Sequence, residues 1–183
     1  MDNRRVLLPL AIAVLVGGAA ASSLSAGTPK LRAVAKTTQA RVAPRHVNPR
    51  LTRNLRAVTW RWEIVMGLRR SRLAAPLNAP RALRFWRRHA RYVRRLAVRP
   101  PHKRGWLCIH HFEGSWRDSG DPYWGGLQMD RGFMHSYAPR LLLRRGFANR
   151  WTPLEQMWVA ERAHRSGRGF YPWPNTARYC RLI

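Results

Sequence analysis

The sequence predicts an α+β protein that is mainly α, with one short Gly-rich extended element set among helices. Three observations predict it. Leu51, Leu55, Val58, Trp62 and Val65, then Leu83, Trp86, Ala90, Val93 and Ala97, recur at three- and four-residue spacing, the period of a half-buried helix. "TPLEQMWVAERA" opens with Thr152 as N-cap, Pro153 at N1 and Glu155 at N3, a capping box. "YWGGLQM" is short, aromatic and Gly-rich, and suits a small hairpin or a tight extended segment.

The elements follow in order. Residues 1–21 read as a signal peptide: Arg4 and Arg5 precede an apolar run from Val6 to Val16, and Ala19-Ala20-Ala21 makes an A-x-A site before Ser22. That run is shorter than the roughly 20 residues of a spanning helix. The chain is expected to be secreted, or membrane-anchored if the signal stays uncleaved. Residues 22–47 are a flexible basic linker. Residues 48–100 form a basic helical arm, with helices over 48–73 and 81–98 broken by "APLNAP". Pro100-Pro101 stiffens the joint to a second domain, residues 104–183. In that domain "KRGWLCIHHFE" predicts a helix that ends on Glu113, just before Gly114. "GSWRDSGDP" is a loop, residues 130–150 hold one or two short helices, and Gly167 stops the capped helix. The tail "FYPWPNTARYC" is expected to be irregular.

Composition bounds the function. A hydrophobic content of 45% with nine tryptophans excludes outright disorder. The net charge of +27 calls for anionic partners or surroundings. Of 35 basic residues, 24 precede residue 105, together with only two of the eight acids. The arm is therefore either a solvated basic face or a device for retention on an anionic wall or membrane surface. No DNA or RNA recognition motif is present, so no specific nucleic-acid partner is expected. Cys108 and Cys180 either close a loop of about 70 residues or stay reduced and buried.

Glu113 carries the sharpest chemical signal. It is the only acid between Glu63 and Asp118, with Ile109, Phe112 and Trp116 close in sequence. Breaking a sugar–sugar bond near neutral pH needs a carboxylic acid kept protonated, and apolar burial raises a carboxyl pKa. Asp118, Asp121 or Asp130 could supply the second carboxylate of a standard glycosidase. Trp116, Tyr123 and Trp124 are candidate sugar platforms, with Gln128 and Gln156 as polar partners. His110 and His111 lack the i,i+4 pairing of a zinc helix, so no metal is expected.

Four segments in order, "GWLCIHHFEGSW", "PYWGGLQMD", "TPLEQMWVAERA" and "YPWPNTARYC", resemble the transglycosylase-like domain of actinobacterial resuscitation-promoting factors. The resemblance covers residues 104–183. It implies a small lysozyme-like fold acting on peptidoglycan without a cofactor. It also implies that Glu113 is the catalytic acid, that Asp130 and Gln128 match the family's acid and glutamine, and that Gln156 holds glycan. Cys108 and Cys180 resemble the family's disulfide pair. The chain departs from the pattern in placing Cys108 five residues before Glu113, where the family has cysteine adjacent, and in having Phe133 where threonine is frequent. The implied activity is glycan cleavage by lytic transglycosylation or by hydrolysis. Two other functions compete with it: a wall-binding module without catalysis, and a secreted cationic protein that damages membranes through the arm.

Overall fold

The structure is a computed structural model describing residues 47–183. The signal peptide and residues 22–46 of the linker lie outside the described residues. Seven α-helices are described: α1 (Pro49–Met66), α2 (Pro80–Ala97), α3 (Lys103–Glu113), α4 (Arg131–Tyr137), α5 (Arg140–Leu143), α6 (Pro153–Ala163) and α7 (Pro174–Tyr179). The mainly α expectation holds, but the α+β one does not. Among the described residues there is no strand, only one antiparallel bridge between Trp124 and Met129. The reason is local. Gly125 (φ 75°) and Gln128 (φ 46°) reverse the chain within four residues, so "YWGGLQM" closes as a tight hairpin with no room for a ladder. No helix among the described residues is long and apolar enough to cross a membrane.

The arm helices form, with shifted ends and, for α1, a rotated face. Asn48 caps α1 by accepting from the Arg50 N–H, with Pro49 at N1. α1 stops at Met66 rather than at residue 73, because Gly67 takes the left-handed conformation (φ 70°). The Glu63 carboxylate then accepts from the Ser71 N–H and hydroxyl, turning the chain back on the helix end. Its buried positions include Thr52, Thr59, Glu63, Val65 and Met66, whereas Leu51 is 42% exposed. In α2 the expected stripe is nearly right: Ala82, Trp86, Ala90, Val93 and Ala97 are buried. Trp60 meets Trp86 edge-on at 5.9 Å between the two helices.

The expected boundary near residue 100 does not separate two bodies. Residues 47–183 belong to one compact unit, and Val65, Met66, Val93 and Ala97 share an apolar core with Trp106, Ile109, Val159 and Ala160. Polar contacts cross the same seam. Trp158 Nε1 donates to the Ala97 carbonyl (2.8 Å) and Arg165 to that of Met66 (2.6 Å). Arg61 pairs with the buried Glu155 (2.6 Å).

α6 is the central helix, with eight of its eleven residues buried. The predicted capping box is present: Thr152 Oγ1 accepts from the Glu155 N–H, and Glu155 accepts from the Thr152 N–H. Gly167 (φ 95°) ends the wider π-turn, His164–Arg168, that follows. The tail expected to be irregular instead contains α7, started by Pro174 at N1. The Cys108–Cys180 disulfide is formed and ties α7 to α3.

Candidate functional site

Glu113 is the last residue of α3, followed by Gly114 at φ 130°. Its Oε1 accepts from the Thr176 hydroxyl of α7 at 2.7 Å. Cys108 lies five residues before Glu113 and Cys180 four after Thr176, so the disulfide clamps the two helices that carry this pair. Trp173, which begins α7, donates through Nε1 to the Leu127 carbonyl (2.6 Å). That bond docks α7 against the Gly-Gly hairpin.

A surface groove with two lobes runs past Glu113. One lobe, of about 300 Å³, is lined by Glu113, Asn175 and Thr176; the other, of about 330 Å³, by Asp130, Ser136, Tyr137 and Arg168. Tyr123, Gln128, Pro172 and Trp173 line both, so the lobes are continuous. Glu113 itself is only half-buried. The apolar neighbours expected to enclose it are otherwise engaged. Ile109 is in the core, Phe112 is 53% exposed and stacked on Tyr179, and Trp116 stacks on His110 at 3.9 Å.

The other predicted site residues divide. Tyr123 is 49% exposed and Gln128 borders both lobes, each suited to contact a bound chain. Gln128 is held by its amide, which donates to Asp118 (2.7 Å) and to the Gly125 carbonyl (3.1 Å). The Gly120 N–H and the Gln128 amide hold the Asp118 carboxyl below its ordinary pKa. Asp130 is in the groove, but in the lobe that does not contain Glu113, and its carboxylate caps α4 by accepting from the Phe133 N–H (2.6 Å).

Three predicted sugar contacts lie away from this groove. Gln156 is fully buried: its Oε1 accepts from the Gly126 N–H, and its Nε2 donates to the carbonyls of Trp116 and Ala148, both at 2.9 Å. With its polar atoms satisfied in the interior, it borders neither lobe. Trp124 is in the core, packed on Phe147 with Arg131 across its ring. Trp116 faces a separate pocket, shared with Arg117, Arg145 and Arg150.

The glycine pair has a packing cause. A Cβ on Gly125 would stand 2.5 Å from Gln156 Oε1, and one on Gly126 would stand 2.5 Å from His110 Nδ1 and 2.7 Å from the Trp116 ring. Gln128 and Tyr123 reach the groove because the hairpin can settle onto these groups. Sequence reasoning missed Thr176, Trp173, Asp118 as the anchor of Gln128, and Arg168. Only Trp173 had a local signal, in the "WP" of the tail motif.

Away from the groove, two buried glutamates hold the frame. Burial pushes the Glu155 carboxyl up, but the Thr152 N–H and the Arg61 and Arg145 guanidiniums outweigh it and keep it below the usual value. Glu161 accepts from the His102 N–H (2.7 Å), His102 Nδ1 (3.1 Å) and Trp106 Nε1 (2.8 Å). Compared with protein-family models, with curated proteins and with solved structures, the chain gives no match.

Proposed function

We propose that the chain is an exported peptidoglycan-cleaving enzyme with a lysozyme-like catalytic domain and Glu113 as proton donor. One observation carries the reading: a carboxylate at a helix end, held by a threonine hydroxyl, in one lobe of a groove whose second lobe adjoins it across Gln128 and Trp173. The ordered resemblance of residues 104–183 to the transglycosylase-like domain supplies the substrate, the glycan strand. Tyr123 offers a face for sugar C–H groups, and Gln128 Oε1 and the Asn175 amide offer polar partners for hydroxyls.

The chemistry follows from which carboxylates are free. Asp118 is engaged by the Gly120 N–H and Gln128, Asp130 by the Phe133 N–H in the other lobe, and Asp121 lines neither lobe. This favours a route that needs one acid. Thr176 occupies Oε1 and leaves Oε2 to deliver the proton to the glycosidic oxygen. As that bond breaks, a hydroxyl of the same sugar attacks the anomeric carbon and closes an internal ether, and the ionised Glu113 takes the hydroxyl proton. No water enters, which is the outcome of a lytic transglycosylase; a muramidase would add water instead.

The exposure of Phe112 and the half-buried state of Glu113 favour a second reading, a wall-binding module that keeps the groove without turnover. Mass spectra of sacculi treated with the wild-type chain and with Glu113→Gln separate the two. Anhydro ends released by the wild type alone support the enzyme, and reducing ends mark hydrolysis. Equal products from both chains would end the catalytic reading.

A further inference from the structure

The charge on α2 serves neither the fold nor the groove. Seven of its eighteen residues are arginine, all between Arg81 and Arg95 and all exposed. At 100° per residue they occupy one arc of about 140°, opposite the buried stripe of Ala82, Trp86, Ala90, Val93 and Ala97. Among the described residues none of the seven pairs with a carboxylate, and only Arg81 has a hydrogen-bond partner, the Ala74 carbonyl. Like charges at i,i+4, such as Arg84–Arg88, Arg87–Arg91 and Arg91–Arg95, oppose helix formation. Arg81 and Arg84 also stand at the helix end where the macrodipole disfavours cations, and the first turn has no acid. A ligand carrying a row of anions would relieve this repulsion.

We infer that the outward face of α2 is a docking ridge for a linear phosphodiester polymer of the cell envelope, a polyol-phosphate chain. From Arg81 to Arg95 the ridge is about 21 Å long at the helical rise. Every cation on the helix is arginine and none is lysine, and the guanidinium fork matches phosphate oxygens two at a time. A membrane helix would need its apolar face free to enter the bilayer, and that face of α2 is already buried in the core. A single-stranded nucleic acid would stack successive bases on a row of aromatic platforms among the cations; on α2 Trp86 is buried, Phe85 is stacked between Trp86 and His89, and Tyr92 alone is exposed. Because α2 shares the core of the whole unit, a polymer on the ridge holds the groove at a fixed offset from it.

The test is binding of the full chain to poly(glycerol phosphate) between about 50 and 200 mM salt. The ridge variant carries R84Q, R88Q, R91Q and R95Q. The control removes the same charge elsewhere with R53Q, R69Q, R140Q and R144Q, all exposed positions. The ridge variant should lose at least about 30-fold in affinity and about three units of salt slope, and the control should stay within about threefold of wild type. Equal loss in both would reduce the ridge to net charge and overturn the inference, as would a ridge variant that binds like wild type. Tighter binding of an oligonucleotide with the same number of phosphates, or of phosphatidylglycerol vesicles, overturns it too. If the ridge variant loses its native tryptophan spectrum, the four-lysine variant decides: binding weakened about threefold or more supports the arginine fork, and wild-type affinity refutes it. Glu113→Gln should bind as wild type does, which keeps the ridge separate from the catalytic reading.

Discussion

Gln156→Ala separates a structural glutamine from a sugar-binding one. The buried side chain accepts from the Gly126 N–H at 2.9 Å and donates to two carbonyls at 2.9 Å, with a third, that of Trp151, at 3.3 Å. Three good hydrogen bonds at roughly 1 kcal/mol each give about 3 kcal/mol. The cavity left under Gly125 adds roughly 1 kcal/mol more, so the loss is about 4 kcal/mol. For a chain of this length that lowers Tm by about 8–16 °C. Gln156→Glu is the sharper form: it keeps the bond to Gly126 but turns a carboxylate oxygen towards carbonyl oxygens, and should be no less damaging. Near-UV circular dichroism follows the change well, because Trp116, Trp124 and Trp151 surround the site. A Tm within about 2 °C of wild type, with weakened glycan binding as the only defect, would refute the structural assignment and return Gln156 to the cleft.

Three further outcomes follow from the same geometry. Cys108→Ser with Cys180→Ser opens a link across 72 residues and should cost about 4 kcal/mol in chemical denaturation; a change below about 1 kcal/mol would mean that the clamp is redundant. Thr176→Val removes the donor to Glu113 while keeping shape. For the proposed activity, turnover should fall about 10- to 100-fold with stability within about 1 kcal/mol of wild type, and unchanged turnover would deny Thr176 its role. Burial, then the nearby His102 charge, lowers the His164 pKa against the opposing pull of Glu161. Neutral His164 therefore contributes stability that is full above its ordinary value of 6.5 and lost as pH falls towards the lower folded value. His164→Phe should flatten that part of the Tm–pH curve, and an unchanged slope between about pH 7 and 5 would refute the linkage.

Much of the local structure was legible and the long-range part was not. Thr152, Pro153 and Glu155 announced the start of α6 because a capping box is a contact within four residues. The α2 stripe was legible because its buried residues are apolar. α1 misled for the opposite reason: it buries Thr59 and Glu63, polar residues satisfied within a turn or two, and Thr52, whose hydroxyl finds no partner, and leaves Leu51 outside. α7 was hidden by prolines that signal breaks, although Pro174 occupies the one helical turn where proline is welcome. In the site, Glu113 before Gly114 could be read from the chain, but Thr176 is 63 residues away and pairs with it only in the fold. Tyr123 and Gln156 looked alike as groove candidates. What divided them was the bare backbone of Gly125 and Gly126, which lets the hairpin sit on the Gln156 amide and pushes Tyr123 outward.

The seam between the arm and residues 104–183 yields the last prediction. Among the acids of the described residues, Glu63, Glu155 and Glu161 are the three that are buried, and all three stand at or beside this seam. Glu63 folds back the end of α1, Glu155 receives Arg61 from α1, and Glu161 holds His102, which leads from α2 into α3. A chain beginning at Lys103 would lose Arg61 from Glu155, the His102 contacts from Glu161 and the Ala97 carbonyl from Trp158. It would also bare the apolar surface that Val65, Met66, Val93 and Ala97 cover. Glu155 would keep Arg145 and Glu161 would keep Trp106, so the bared core is the larger loss, and it draws on a margin of only about 5–15 kcal/mol that a domain holds. Residues 103–183 alone should therefore show no cooperative unfolding transition and should expose apolar surface to a hydrophobic dye. A sharp transition near the full-length Tm would show the arm to be an appendage after all, and the basic helices would then be free to act by themselves.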